Sequence, residues 1–155
     1  IHPRNLIKKL FTKEGWREIY RVALQRPEES NPRKASSIAF GIFMGIVPIW
    51  GFQLLVGIPA AIALRLNKTL FLIAANISVF PLTPIWWGLS LLCGKWLLGY
   101  DDWHLNPKLM SLEEFKEAGF SFFLGGTVLA IALGIISYLL SILLLNRYRK
   151  TNNQV

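Results

Sequence analysis

Residues 35–64 read ASSIAFGIFMGIVPIWGFQLLVGIPAAIAL and contain no Asp, Glu, Lys or Arg. A helix needs about 20 apolar residues to cross a hydrocarbon layer of about 30 Å, so the run is long enough to span a membrane. Pro48, Gly51 and Pro59 interrupt it, however, and each half would give only about 20 Å of helix. The run therefore predicts either a re-entrant hairpin or one broken span, with its irregular backbone buried in protein or lining a wet cavity.

A second apolar run, residues 69–99, repeats this design with Pro81 and Pro84 at its break. The two breaks share a pattern, which reads Pro-Ile-Trp-Gly at residues 48–51 and Pro-Ile-Trp-Trp-Gly at residues 84–88. Repeated broken helices are typical of transport folds. Shared membrane composition explains the match as well, and both interpretations stay open.

The third run, residues 118–146, has neither charge nor proline and predicts an ordinary spanning helix. Three such runs in 155 residues leave too little polar sequence to cover them in water. We therefore expect an all-α membrane protein. Its predicted parts are amphipathic helices at 1–34, a membrane domain at 35–150 and a polar tail at 151–155. The membrane domain would hold two Pro/Gly-broken, re-entrant-like helical hairpins and one C-terminal transmembrane helix. The positions of the charges favour a re-entrant segment at residues 35–64, an outward crossing at 69–99 and a return crossing at 118–146, and two re-entrant segments are the alternative.

The net charge of +8 lies almost entirely outside the apolar runs. That distribution favours attraction to anionic lipid headgroups over nucleic-acid binding, so membrane lipids are the predicted partners and nucleic acid is not. Lys and Arg concentrate on the cytoplasmic side of membrane proteins. The N-terminal segment, the Arg65/Lys68 link and the tail at Arg147–Lys150 are accordingly predicted to face the cytoplasm, which places both termini there.

Most parts needed for catalysis are absent from the sequence. His2 and His104 have no metal-ligand neighbour at a useful spacing, and no phosphate loop or nucleophile elbow is present. Asp101-Asp102 is open to interpretation as a metal-binding pair, but a solvated loop is favoured without a surrounding α/β domain. The sequence therefore predicts no enzyme, no catalytic residue, no metal and no cofactor.

Candidate binding residues lie at the two breaks and at the basic links. Polar groups inside a membrane need partners, so they serve either the bent backbone or a substrate. Lys95 either snorkels to the surface or binds a phosphate. The predicted lipid- or substrate-binding residues are Gln53, Asn76, Ser78, Thr83, Trp50, Trp86, Arg65, Lys68 and Lys95, and the predicted structural breaks are Pro48, Gly51, Pro81 and Pro84.

The order and spacing of residues 35–99 resemble a bacterial membrane family known as domain of unknown function 2062. The matching features are Gly41-x-x-x-Gly45-x-x-Pro48-x-x-Gly51-x-Gln53, Arg65-x-Asn67, Asn76-Ile77-Ser78, Pro81, Pro84 and Gly94. The resemblance implies an all-helical domain in the bacterial inner (cytoplasmic) membrane. Many members are expected to carry Asn where this chain has Phe80, so no role of that Asn carries over.

Some family members look fused behind a polyprenyl-phosphate glycosyltransferase, and a chain that begins at Ile1 fits a piece of such a fusion. The leading hypothesis is thus a non-enzymatic membrane module in cell-envelope glycan or lipid-linked sugar metabolism. It would anchor a glycosyltransferase or handle a polyprenyl-phosphate lipid, whose tail would lie along Trp50, Trp86 and Trp87. A small transporter or channel with its site at the broken helices, and a structural membrane subunit, are the alternatives.

Overall fold

The computed structural model describes residues 28–49, 51–76, 82–99 and 112–152, the last range with side chains for residues 115–147. Within these ranges the chain is all-helical, as the sequence predicts, and no strand is present. The five helices are α1 (Asn31–Ile46), α2 (Gln53–Ala63), α3 (Lys68–Ala75), α4 (Thr83–Leu98) and α5 (Leu112–Asn152). The amphipathic helices expected before residue 28 lie outside the described residues.

The longest helix, α5, has 41 residues and is about 60 Å long at about 1.5 Å per residue. Its stretch Phe115–Arg147 is long and apolar enough to cross a membrane, and it is the one such helix in the described part of the chain. The spanning helix expected at residues 118–146 is therefore present. It is longer than its apolar run, because charged residues at both ends extend the helix beyond that run.

Helix α1 lies antiparallel along the C-terminal half of α5. At one end the Asn31 amide nitrogen donates to the Asn146 side-chain oxygen at 2.8 Å. At the other end the ring of Pro48 packs against Gly126, 3.1 Å from where a Cβ of that glycine would stand. The two contacts fix the direction of α1, which ends about midway along α5.

Helix α4 lies antiparallel along the N-terminal half of α5, through four small residues. The backbones of Gly94 and Ser121 touch, as do those of Gly125 and Ser90, so a Cβ on either glycine would collide with the opposite backbone. Small residues spaced by four on both helices permit this close approach. Since α1 covers the other half of α5, α1 and α4 follow one another along it and their ends meet near its middle.

Helix α2 brings the chain back to the end at which α1 begins. Beyond it, the backbone N–H of Asn67 donates to the Ser37 hydroxyl at 2.8 Å, and the Asn67 side-chain amide donates to Glu29 at 2.5 Å. Asn67 also caps α3, accepting from the N–H groups of Thr69 at 3.0 Å and Leu70 at 3.2 Å. One buried asparagine thus fixes the end of the α1–α2 pair and the start of α3.

The second broken segment, α3 and α4, does not fold back on itself. Asn67 lies beside Ser37 of α1, and Phe71 and Ala75 lie beside Gly41, so α3 runs in the same direction as α1. Helix α4 then continues away from that end along α5. A hairpin is therefore not confirmed for this segment, because both of its described halves pack on α1 or α5 in a single direction.

The helix breaks follow from the prolines and from Gly51. Helix α1 ends at Ile46 because Pro48 lacks an N–H and disfavours helical backbone at Val47, which has φ −56 and ψ 132. Gly51 takes φ +75, which glycine adopts without strain. Pro59, expected to interrupt helix, lies inside α2, which continues on both sides despite one lost hydrogen bond. Pro84 lies in the first turn of α4, where its missing N–H costs nothing.

The core is small, and the described surface is strongly apolar. Phe71 is fully buried between α1, α2 and α3, and it stacks on Phe40 with ring centroids 5.5 Å apart. Large apolar side chains point outward instead along α2, α4 and α5, among them Trp96 at 82% exposure, Leu55 at 67% and Phe115 at 68%. Soluble monomers rarely expose apolar surface on this scale.

Candidate functional site

A cavity of about 290 Å³ lies where α1 ends and where α2 and α4 begin. It adjoins the middle of α5, at the level where α1 and α4 meet. Its lining combines backbone from the helix ends with aromatic, amide and hydroxyl side chains. The lining residues are Gly45, Ile46, Val47, Gly51, Gln53, Thr83, Trp86, Trp87, Ser90 and Phe122.

Three helix ends supply both hydrogen-bond acceptors and donors at this cavity. The helical donor for the Met44 carbonyl would be residue 48, which is proline and has no N–H. At α2, the first N–H groups have no acceptor within the helix, and neither α2 nor α4 has a side-chain cap. Two positive helix ends and one negative end therefore meet here, and their dipoles partly cancel.

The Gln53 side chain lines the cavity and is half-buried. It makes no hydrogen bond with any residue in the described part of the chain. By contrast, the Ser90 hydroxyl donates to the Trp86 carbonyl at 2.7 Å and is satisfied. An amide in an apolar body favours a partner, and the Gln53 amide adjoins the cavity.

A second feature is a cluster of cations, here called the basic end, formed by Arg33, Lys34, Arg65, Lys68 and Arg147. Two contacts described above bring these residues together from distant parts of the chain, namely Asn31 with Asn146 and Asn67 with Glu29 and Ser37. Two carboxylates, Glu28 and Glu29, lie at the same end. Lys34 is buried, and both Lys34 and Arg147 have partners, so the exposed cations Arg33, Arg65 and Lys68 are the ones that make this end attractive to anions.

Arg65 holds a strained backbone conformation at the basic end. Its φ of 53 lies in the left-handed region, and among the described residues it is the one non-glycine residue there. The conformation costs roughly 1–2 kcal/mol for a residue with a Cβ, which a glycine would avoid. The chain therefore carries a cation where an unstrained turn would carry glycine.

The structure divides the predicted binding residues into four groups. Gln53, Thr83 and Trp86 line the cavity, together with the predicted break residue Gly51. Arg65 and Lys68 lie at the basic end. Two others, Asn76 and Lys95, belong to neither place, and Trp50, Ser78 and the break residue Pro81 lie outside the described residues.

Asn76 and Lys95 serve the ends of their own helices. The Asn76 amide donates to the Leu72 carbonyl at 2.6 Å, which satisfies the last turn of α3. Lys95 lies in the last turn of α4, where a cation stabilises the negative helix end. Both are thus placed as structural residues rather than as lining of the cavity.

The sequence also did not predict five other residues that line the cavity, Gly45, Ile46, Val47, Ser90 and Phe122. Each of the two helices has a pair of small residues four apart, Ser90 with Gly94 and Ser121 with Gly125, and such spacing indicates a close helix contact. That contact brings Phe122 of α5 beside α4. Among the described residues no group of His, Cys, Asp or Glu side chains could hold a metal ion.

Comparison with known proteins gives one match. The family described as uncharacterized proteins conserved in bacteria (DUF2062) matches residues 18–154, which is most of the chain. No curated protein matches the chain, and no solved structure matches it either. The match extends the resemblance of residues 35–99 over α5 as well. The chain belongs to this bacterial family, DUF2062.

Proposed function

We propose that this chain is a non-enzymatic integral protein of the bacterial cytoplasmic membrane that binds a polyprenyl-phosphate lipid in the service of envelope glycan synthesis. The observation that carries the proposal is the basic end, built from three separate parts of the chain at one end of an apolar body. A phosphate headgroup and an isoprenoid chain together need that combination of charge and apolar surface.

The exposed side chains support a place in the membrane. Helix α5 would cross it, and α3 with α4 would form a second, broken crossing in the opposite direction. Helices α1 and α2 would enter and return on one side as a re-entrant pair. Because the basic end holds the start of α1 and the end of α5, the preference of Lys and Arg for the cytoplasm would place both of them there.

The lipid would lie along α2. Arg65 and Lys68 follow the C-terminal end of this helix, and Gln53 at its other end lines the cavity. Between them runs an apolar face about 16 Å long, exposed at Leu54, Leu55, Val56, Ile58, Ile62 and Leu64. A phosphate at the basic end would therefore have an uninterrupted apolar path for its chain.

The test is binding to the full chain in detergent, measured by native mass spectrometry. The probes are a C55 polyprenyl phosphate, the matching polyprenyl alcohol and dioleoyl phosphatidic acid, which separate the phosphate from the isoprenoid contribution. A cation near an anionic lipid surface contributes about 1 kcal/mol, so Arg65→Ala with Lys68→Ala should weaken polyprenyl-phosphate binding about 25-fold.

The matched control removes two cations distant from the basic end, Lys95→Ala with Lys116→Ala. Equal affinity of the two double variants would refute the phosphate site at the basic end. Equal binding of the polyprenyl phosphate and phosphatidic acid would reduce the proposal to general anionic-lipid binding. Anchoring of a glycosyltransferase is a further part of the proposal and requires that such an enzyme co-purify with the full chain.

One specific observation favours a second candidate, a small transporter. The ends of α1, α2 and α4 meet at a cavity midway along the spanning helix, and transport folds bind their substrates at such broken helices. Flux of labelled solutes into vesicles that contain the purified chain tests this candidate. Flux that is equal in vesicles with and without the chain excludes it.

A further inference from the structure

We infer that the cavity at the ends of α1, α2 and α4 binds a small uncharged polyhydroxy compound of the size and class of a monosaccharide. The inference deepens the second candidate function, since it names a ligand for the same cavity. Binding requires no flux, however, so the two stand or fall on different measurements.

The size of the cavity suits a ligand of a single ring. Its 290 Å³ correspond to roughly ten water molecules at about 30 Å³ each. Sites for drug-sized molecules begin at about 300 Å³ and extend to about 1,000 Å³. A hexose with a few waters suits this volume, and a headgroup with its acyl chains does not.

The charge of the cavity favours an uncharged ligand. None of the described lining residues is Asp, Glu, Lys, Arg or His. Among the described lining residues an ion would find no counter-charge, and burial of an unpaired ion in an apolar body is costly. The carbonyl groups at the end of α1 and the N–H groups at the start of α2 instead match a molecule that both donates and accepts.

The side chains favour a ring with one apolar face and a polar edge. Trp86 and Trp87 of α4 and Phe122 of α5 contribute aromatic residues to the lining. Gln53 provides a free amide, which donates and accepts at once. A sugar ring presents C–H groups on its face and hydroxyls at its edge, which complements both sets of groups.

The aromatic residues raise an alternative ligand for the cavity, an organic cation, because indole faces attract ammonium groups. The helix ends oppose it. Both α2 and α4 direct their positive ends toward the cavity, and α1 directs only one negative end toward it. A neutral ligand avoids that repulsion.

The test is titration of the full chain, reconstituted in lipid nanodiscs, with D-glucose, D-galactose, D-mannose, choline and inorganic phosphate, followed by tryptophan fluorescence and calorimetry. We expect saturable binding of at least one monosaccharide and none of choline or phosphate. Gln53→Ala should weaken that binding about tenfold through the loss of one to two hydrogen bonds. The matched amide control, Asn76→Ala, should leave it unchanged.

A matched pair of variants tests the contribution of the aromatic residues to binding. Trp87→Phe should alter binding, whereas Trp96→Phe, on a side chain that is 82% exposed and outside the cavity, should not. If Gln53→Ala fails to fold by gel filtration and circular dichroism, Thr83→Val takes its place. Binding of choline or phosphate alone, no binding of any probe, or equal effects of the cavity and control variants would overturn the inference.

Failure of this inference can be distinguished from failure of the two proposed functions. Monosaccharide binding without flux keeps the inference and removes the transporter. Loss of monosaccharide binding in the Arg65→Ala, Lys68→Ala variant would also count against it, because the basic end does not line the cavity.

Discussion

Asn67 fixes the basic end, and its replacement by alanine is a direct test of the fold. The change removes the cap of α3, where Asn67 accepts from the N–H groups of Thr69 and Leu70. It also removes the amide that donates to Glu29. The backbone N–H of residue 67 keeps its bond to the Ser37 hydroxyl, so the local backbone has no other reason to move.

The expected loss of stability is about 2–3 kcal/mol. An N-cap contributes about 1 kcal/mol. A hydrogen bond to an ionised group contributes about 1.5–3 kcal/mol, and the lower end applies because Glu29 is only half-buried. At about 2–4 °C per kcal/mol for a chain of this size, the midpoint of unfolding should fall by about 4–12 °C.

Cys93 offers the assay, because it is the single cysteine of the chain and lies half-buried in α4. Its reaction with a thiol-specific dye reports unfolding in detergent as the temperature rises. Asn67→Ser retains a capping oxygen and loses only the donor to Glu29, so its midpoint should fall about half as far. Lys68→Ala is the exposed control. A fall of less than 1 °C in Asn67→Ala, or equal falls in Asn67→Ala and Lys68→Ala, would refute the reasoning.

Three further predictions test the turn, the helix contact and the topology. Arg65→Gly should unfold about 2–8 °C above Arg65→Ala, because glycine takes a φ of 53 without strain, and equal midpoints would show that the turn is relaxed. Gly125→Leu should yield no monodisperse folded protein on gel filtration, since its Cβ meets the backbone of α4, while Gly119→Leu, in open space, should behave as wild type. Asn31→Cys with Asn146→Cys, in a background without the native cysteine, should form a disulfide on mild oxidation, whereas Asn31→Cys with Gly119→Cys should not. A disulfide in the second pair alone would contradict the antiparallel placement of α1 on α5.

The long helix and the first break were predictable because local chemistry decides them. A run of 29 residues without charge or proline, residues 118–146, allows hardly anything but a helix that is apolar on all sides. Pro48 and Gly51 interrupt a helix in any surroundings, since Pro48 lacks an N–H and Gly51 adopts a positive φ. Pro59 does not act alike, because a proline removes a single hydrogen bond and the helix continues on both sides of it.

The membership of the cavity was only partly predictable. Gln53 and Thr83 are close to the helix breaks in the sequence, so proximity along the chain was enough to predict them as cavity residues. Asn76 also stands beside a break, yet it closes the last turn of its own helix. Phe122 is distant in sequence from both breaks. It reaches the cavity because α1 and α4 follow one another along α5, and that arrangement depends on tertiary contacts between small residues rather than on any local pattern.

Helix α2 packs on α1 and α3 but does not lie along α5, whereas α1 and α4 both do. Of its eleven residues only Gly57 and Ala61 are buried. Local opening costs least where few contacts are lost, so amide hydrogens of α2 should exchange before those of the other helices. A ligand bonded to Gln53 would hold α2 closed against the fixed wall of α4 and α5. Protection gained on binding should therefore be confined to the one helix that can move aside to admit the ligand.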